Sequence, residues 1–79
     1  MIKKNIKQFN KVLVFGGSGF LGSHICDQLT DQNYDVTIFD KNKSKYLKKK
    51  QKIVIGDISN FKQVKNASKN KDYILHFAA

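Results

Sequence analysis

The residue pattern predicts an α/β fold, a small all-parallel sheet with helices as its crossovers. Three observations predict it. Four short runs rich in β-branched and aromatic residues recur along the chain, bounded by Gly, Asn or Asp. Two intervening stretches carry apolar residues at helical spacing. A glycine-dense turn joins the first run to the first of these stretches. The order is strand, helix, strand, polar loop, strand, helix, strand, and such alternation implies parallel strands joined by right-handed crossovers.

Each element has a local reason. Val12–Phe15 is a continuous apolar run stopped by Gly16, the signature of a buried strand. Gly16–Gly19 is a turn. Residues 20–32 read as a helix with Leu21, Ile25 and Leu29 on one face. Asp35–Phe39 is the second strand, followed by a polar, Lys-rich loop over 40–51. Ile53–Ile55 is the third strand. Asn60 opens the second helix, with Gln63 three residues on as a loose capping box and Phe61, Val64 and Ala67 as the apolar face. Tyr73–Phe77 is the fourth strand. Residues 1–10 read as a basic, solvated leader. They have neither the apolar stretch of a secretory signal nor the Arg and Ser of a transit peptide. Residues 11–79 form a single domain without internal repeats.

Composition narrows the class. A chain of 79 residues is one domain at most, and it buries only about 60% of the surface its unfolded form exposes. No apolar run approaches the roughly 18 residues that cross a bilayer. One Cys and two His are too few for a zinc module, and one Cys makes no intrachain disulfide, which suits a reducing, cytoplasmic setting. A hydrophobic share of 41%, in organised blocks, argues against a disordered tail. The net charge of +9 comes from 15 Lys and no Arg. Lys, Asn and Ile all have A/T-rich codons, so this bias is weak evidence for a polyanion partner. The positive field favours any anionic ligand, a dinucleotide included.

The chemistry lies in the glycine segment. Gly16-x-x-Gly19-x-x-Gly22, overlapped by Gly17-x-Gly19-x-x-Gly22, follows a strand and opens an amphipathic helix. Gly16 allows a sharp exit from the strand, Gly19 lets the backbone approach a pyrophosphate, and Gly22 lets the helix pack closely on the sheet. The diphosphate then meets the free N–H groups and positive dipole end of the helix. A phosphate loop of the NTPase type is excluded, because Ser23 and His24 stand where its Lys and Ser/Thr belong. Asp40 ends the second strand, 18 residues after Gly22. An acid at about this distance accepts hydrogen bonds from the adenine ribose hydroxyls and repels a 2′-phosphate, so it selects NAD over NADP. Lys41 and Lys43 soften that discrimination.

In GGSGFLGSHI at 16–25, IFD at 38–40, Gly56-Asp57-Ile58 and His76-Phe77-Ala78-Ala79, the chain resembles the NAD-dependent epimerase/dehydratase family of extended short-chain dehydrogenases/reductases. The resemblance spans residues 11–79. It implies a partial Rossmann-type domain with strand order 3-2-1-4 and a cofactor crevice between the first and fourth strands. It also implies NAD as cofactor and a nucleotide-sugar substrate in a full-length form. Family roles place Gly16, Gly19 and Gly22 in the pyrophosphate loop, with the backbone of Phe20 and Leu21 on the diphosphate. Asp40 holds the ribose, with Lys41 and Asn42 nearby. Asp57 accepts from the adenine amino group, and the Ile58 backbone contacts the ring. Phe77, Ala78 and Ala79 form the strand end beneath the centre of the cofactor. One departure is Phe15, where the family usually has Thr.

The family's reaction is hydride transfer between a sugar carbon and nicotinamide, assisted by a Tyr whose acidity is raised by a Lys four residues on. Tyr46 and Lys50 have that spacing, but they follow the adenine-side strand, at the wrong end of the cofactor, so no catalytic residue is assigned. The family's catalytic pair lies beyond the fourth strand. The expectation is therefore the cofactor half of a longer enzyme, or a remnant, that binds NAD weakly and catalyses nothing by itself. Its fourth strand would be an uncovered apolar edge. A homodimer is expected only of a full-length form, since the family's dimer helices fall outside the matched segment. Two rival readings are a non-catalytic dinucleotide-binding module and a nucleic-acid binder using the Lys-rich 41–52 segment. The second is disfavoured by the absence of Arg and of interleaved aromatics. Cys26 reads as a small apolar packing residue, His24 as a satisfied or exposed helix residue, and His76 as structural with some proximity to the cofactor.

Overall fold

The computed structural model describes residues 10–42 and 50–77. Six elements follow in the order β1 (Lys11–Phe15), α1 (Phe20–Asp31), β2 (Asp35–Asp40), β3 (Lys52–Ile55), α2 (Phe61–Ser68) and β4 (Tyr73–His76). Every expected strand and helix is present, with ends differing by a residue or so. The four strands form one sheet in the order β3-β2-β1-β4, and all three pairings are parallel. Lys11 stands opposite Asp35, Val12 opposite Tyr73, and Thr37 opposite Lys52.

The alternation of β1 and β2 splits the core into two layers, one per face of the sheet. Val12, Val14, Val36 and Ile38 pack with Cys26 of α1, with Leu29, Tyr34, Ile53 and Leu75 against them. Leu13, Phe15 and Phe39 pack with Ala67 and Val64 of α2 on the other face. The rings of Phe15 and Phe39 meet edge-on at 5.1 Å. β1 is buried from Val12 through Phe15 because it is an inner strand with a helix on each face.

Two helix faces depart from the apolar spacing. In α1 the residues turned to the sheet are Gly22, Ser23, Cys26 and Thr30, whereas Leu21 is 62% exposed. Leu29 still packs against the core. At the start of the helix the cause is closeness: Gly22 and Cys26 lie hard against the glycine turn. The hydroxyls of this face are satisfied within the helix, Ser23 Oγ donating to the Phe20 carbonyl at 2.8 Å and Thr30 Oγ1 to the Cys26 carbonyl at 2.8 Å. In α2, Val64 and Ala67 face the sheet but Phe61 is 78% exposed. Asn60 caps α2 as its sequence suggests, its side chain accepting from the Gln63 N–H at 3.0 Å. The Gln63 side chain does not reach back to Asn60; its Oε1 accepts from the Asp57 N–H at 2.8 Å.

Among the described residues β4 is an edge strand, with Tyr73 and Ile74 about half exposed. Within the loop between β2 and β3, Tyr46 lies outside the described residues. At the loop's far end Gln51 is buried, and its Nε2 donates to Thr30 Oγ1 at 2.9 Å and to Asp27 Oδ1 at 3.1 Å. These bonds tie the start of β3 to α1. No helix among the described residues is long and apolar enough to cross a membrane.

Candidate functional site

In a parallel sheet every strand ends on the same edge, and the connections after β1, β2 and β3 gather there. This brings together Gly16–Gly19, Asp40 and Gly56-Asp57, with Phe77 following β4. The edge lies where the chain reverses direction across the sheet, β1 to β2 to β3 on one side and β4 on the other. Ligands of open α/β sheets bind at such a point.

The glycine turn is built from three different requirements. Gly16 has φ 80°, a left-handed conformation, and its N–H donates to the Phe39 carbonyl at 2.9 Å. At Gly22 a Cβ would lie 2.5 Å from the Gly16 carbonyl oxygen and 3.0 Å from the Gly17 Cα, so the turn and α1 touch backbone to backbone. Among the described residues, a Cβ at Gly19 would have only the Gly16 carbonyl oxygen within reach, at 3.8 Å. The bare backbone of Gly19 thus fronts a space that a ligand atom can fill. Gly17, to which the spacing assigns no role, is buried under Ile38 and Cys26, and a Cβ there would stand 2.9 Å from Ile38 Cγ2. The Gly16-Gly17 doublet was the available signal for that contact.

The start of α1 lacks the usual partners. Gly19 is its N-cap, no side chain caps it, and no acidic residue lies in the first turn. No acidic side chain of that turn therefore competes with an anion for its N–H groups. Phe20 and Leu21 sit on this turn and are exposed, Phe20 packing edge-on against the exposed His24 at 4.5 Å.

Asp40 stands beside the turn. Its Oδ2 accepts from the Ser18 N–H at 3.1 Å and its Oδ1 from the Asn42 N–H at 3.2 Å. Ser18 Oγ donates to the Asn42 carbonyl at 3.0 Å. A carboxylate offers about four acceptor sites, so each oxygen keeps capacity for a hydroxyl donor. Lys41 and Asn42 follow on the exposed surface.

Asp57 is exposed. Its Oδ1 accepts from the Ser59 N–H at 2.9 Å and from Ser59 Oγ at 2.8 Å, and these bonds hold its carboxyl below the usual carboxylate range, with a smaller contribution from Lys41. Asp57 is therefore an acceptor at neutral pH. Gly56 before it is required by packing, since a Cβ would lie 2.7 Å from the Phe39 ring. Ile58 is exposed next to it. Phe77 leaves β4 with its N–H donating to the Phe15 carbonyl at 2.7 Å. Ala78 and Ala79, assigned to the same strand end, lie outside the described residues.

The remaining candidates are structural. Phe15 is core, and the His76 ring lies against it at 5.8 Å. Cys26 is fully buried, and burial, helped by Asp27, pushes its thiol up to about 11.

Known proteins share this fold. The model of the "NAD dependent epimerase/dehydratase family" matches residues 12–79. The mouse sterol-4-alpha-carboxylate 3-dehydrogenase is 32% identical over 78 residues, covering 99% of this chain and 21% of that protein. A UDP-glucose 4-epimerase of Rhizobium meliloti is 36% identical over 76 residues, covering 91% and 23%. The structure of the Thermus thermophilus UDP-glucose 4-epimerase in complex with NAD superposes with a TM-score of 0.77 at 30% identity, covering 86% of this chain and 24% of that one. The protein has a Rossmann-type sheet, and it belongs to the NAD-dependent epimerase/dehydratase family. It spans between a fifth and a quarter of the length of these relatives.

Proposed function

We propose that this chain forms the NAD-binding part of a nucleotide-sugar epimerase or dehydratase. The observation that carries the reading is the placing of Asp40. Its carboxylate is held by the Ser18 and Asn42 amides at the end of β2, beside an uncapped helix start and the open space at Gly19.

The division of labour follows from the local chemistry. Gly16, Gly19 and Gly22 shape the turn, and the backbone N–H groups of Phe20 and Leu21 receive the diphosphate. Asp40 accepts from the adenine ribose hydroxyls, flanked by Lys41 and Asn42. The Asp40 charge disfavours a 2′-phosphate, which sets NAD above NADP. Asp57, kept ionised by Ser59, accepts from the adenine amino group, and the Ile58 backbone lies along the ring. Phe77, Ala78 and Ala79 lie beneath the centre of the dinucleotide. When bound, the nicotinamide supplies hydride chemistry at a sugar carbon. None of the residues named here is assigned proton transfer. The buried free thiol of Cys26 supports a reducing, cytoplasmic setting.

The test is calorimetric titration of the chain with NAD and NADP. NAD is expected to bind, and more tightly than NADP. Asp40→Ala and Gly19→Val are each expected to lower NAD affinity at least about tenfold, the equivalent of about 1.4 kcal/mol. A folded chain with no affinity for NAD refutes the reading.

A further inference from the structure

Three hydrogen bonds close a ring between two loops. Asp40 Oδ2 accepts from the Ser18 amide at 3.1 Å, Asp40 Oδ1 from the Asn42 amide at 3.2 Å, and the Asn42 carbonyl from the Ser18 hydroxyl at 3.0 Å. Ser18 belongs to the turn after β1, while Asp40 and Asn42 belong to the end of β2 and the residues beyond it. Ser18 touches both arms of the ring through different groups, its amide on the carboxylate and its hydroxyl on the backbone two residues further along.

We propose that Ser18 is a positioning residue, whose hydroxyl fixes Asp40 for the two adenine ribose hydroxyls and links that contact to the diphosphate turn. This rests on the reading of Asp40 as the ribose acceptor. The argument is geometric. A carboxylate that accepts one amide on each oxygen is held against rotation, and its unused lone pairs point in a set direction. The Asn42 amide can hold Oδ1 only while the backbone after β2 keeps its course. In the described structure Ser18 Oγ anchors the carbonyl of that same residue. Removing the hydroxyl leaves the Ser18 amide in place but frees the Asn42 segment, so Asp40 loses the restraint on one oxygen. Prearranged acceptors lower the ordering cost of binding, and one hydrogen bond of this kind is worth about a fivefold change in affinity.

The experiment compares wild type, Ser18→Ala, Ser18→Cys and Ser18→Thr in calorimetric titrations with ADP and with 2′,3′-dideoxy-ADP, which lacks both ribose hydroxyls. The expected result is that Ser18→Ala weakens ADP about fivefold and leaves dideoxy-ADP nearly unchanged. Ser18→Thr, which keeps the hydroxyl, restores the wild-type preference. Ser18→Cys, with a weaker donor of similar size, falls between, and it serves as the informative variant if the Ala protein does not fold. Equal weakening of both ligands in Ser18→Ala overturns the proposal, since Ser18 would then act only on the diphosphate turn. No weakening of either overturns it too. A wild type that binds ADP and dideoxy-ADP alike removes Asp40 as the ribose acceptor. That failure of the underlying reading shows in the wild type alone, before any Ser18 variant is compared.

Discussion

Gly19 and Gly22 sit three residues apart in one motif, yet the structure predicts opposite consequences for replacing them with Ala. At Gly22 the added Cβ would lie 2.5 Å from the Gly16 carbonyl oxygen and 3.0 Å from the Gly17 Cα. Both neighbours are backbone, and Gly16 is held at φ 80° by the turn. The first contact is short of ordinary packing distance by about 1 Å. Overpacking of this kind costs about 3 kcal/mol at the upper end of its range, and Ala returns about 1 kcal/mol of helix propensity. The net loss is about 2 kcal/mol, which in a domain of this size lowers Tm by roughly 8–16 °C. At Gly19 the Cβ meets no atom of the described residues closer than 3.8 Å and the backbone is ordinary, with φ −75° and ψ 174°. Folding stability should therefore stay within about 0.5 kcal/mol of wild type. The same methyl occupies the space assigned to the diphosphate, and NAD affinity should fall at least about tenfold. Thermal melts followed by circular dichroism, paired with NAD titrations, separate the two effects. A Gly22→Ala protein that melts like wild type, or a Gly19→Ala protein that binds NAD like wild type, would refute the assignment of packing to one glycine and ligand space to the other.

Three further outcomes are expected. Ser59→Ala removes the hydroxyl bond to Asp57 and keeps the backbone one, so the carboxyl, held low in the native protein, should move part of the way back towards its ordinary value in an NMR pH series. Cys26 has its folded-state pKa raised from 9.0 to about 11, so its contribution to stability is complete below pH 9 and declines as pH rises towards 11. Urea midpoints across that window should fall in wild type more than in Cys26→Ala, and the native thiol should react with a disulfide reagent only as fast as the chain unfolds. Leu21→Ser should change the unfolding free energy read from urea melts by no more than about 0.5 kcal/mol, because that side chain lies outside the core.

The sheet was legible because each strand is a compact apolar run, and the glycine turn because its spacing answers to backbone contacts rather than to side chains. The strand order followed from the resemblance and not from the runs themselves. The face of α1 was not legible. Leu21, Ile25 and Leu29 have the right spacing, but the buried positions are Gly22, Ser23, Cys26 and Thr30, small residues that a hydrophobicity pattern does not register; Gly22 and Cys26 lie against the glycine turn, and Thr30 meets Gln51. Phe61 misled in the same way. Asp40 could be read from its place in the sequence, while its partners Ser18 and Asn42 could not. Ser18 is 22 residues away, and nothing in a serine between two glycines announces which carboxylate it will meet.

The position of β1 between β2 and β4 has a consequence for how the chain is made. One side of this strand finds its partner within about two dozen residues, whereas the other waits for Asp72 and β4. There the Lys11 amide donates to an Asp72 carboxylate oxygen 61 residues further on. At ribosomal speeds of about 5–20 residues per second, that wait is on the order of 3–12 s. During it the most apolar strand of the protein has one unpaired edge, and parallel pairings between distant segments are slow to form even once both strands exist. A strand that ends with a partner on each side thus spends that interval half-finished.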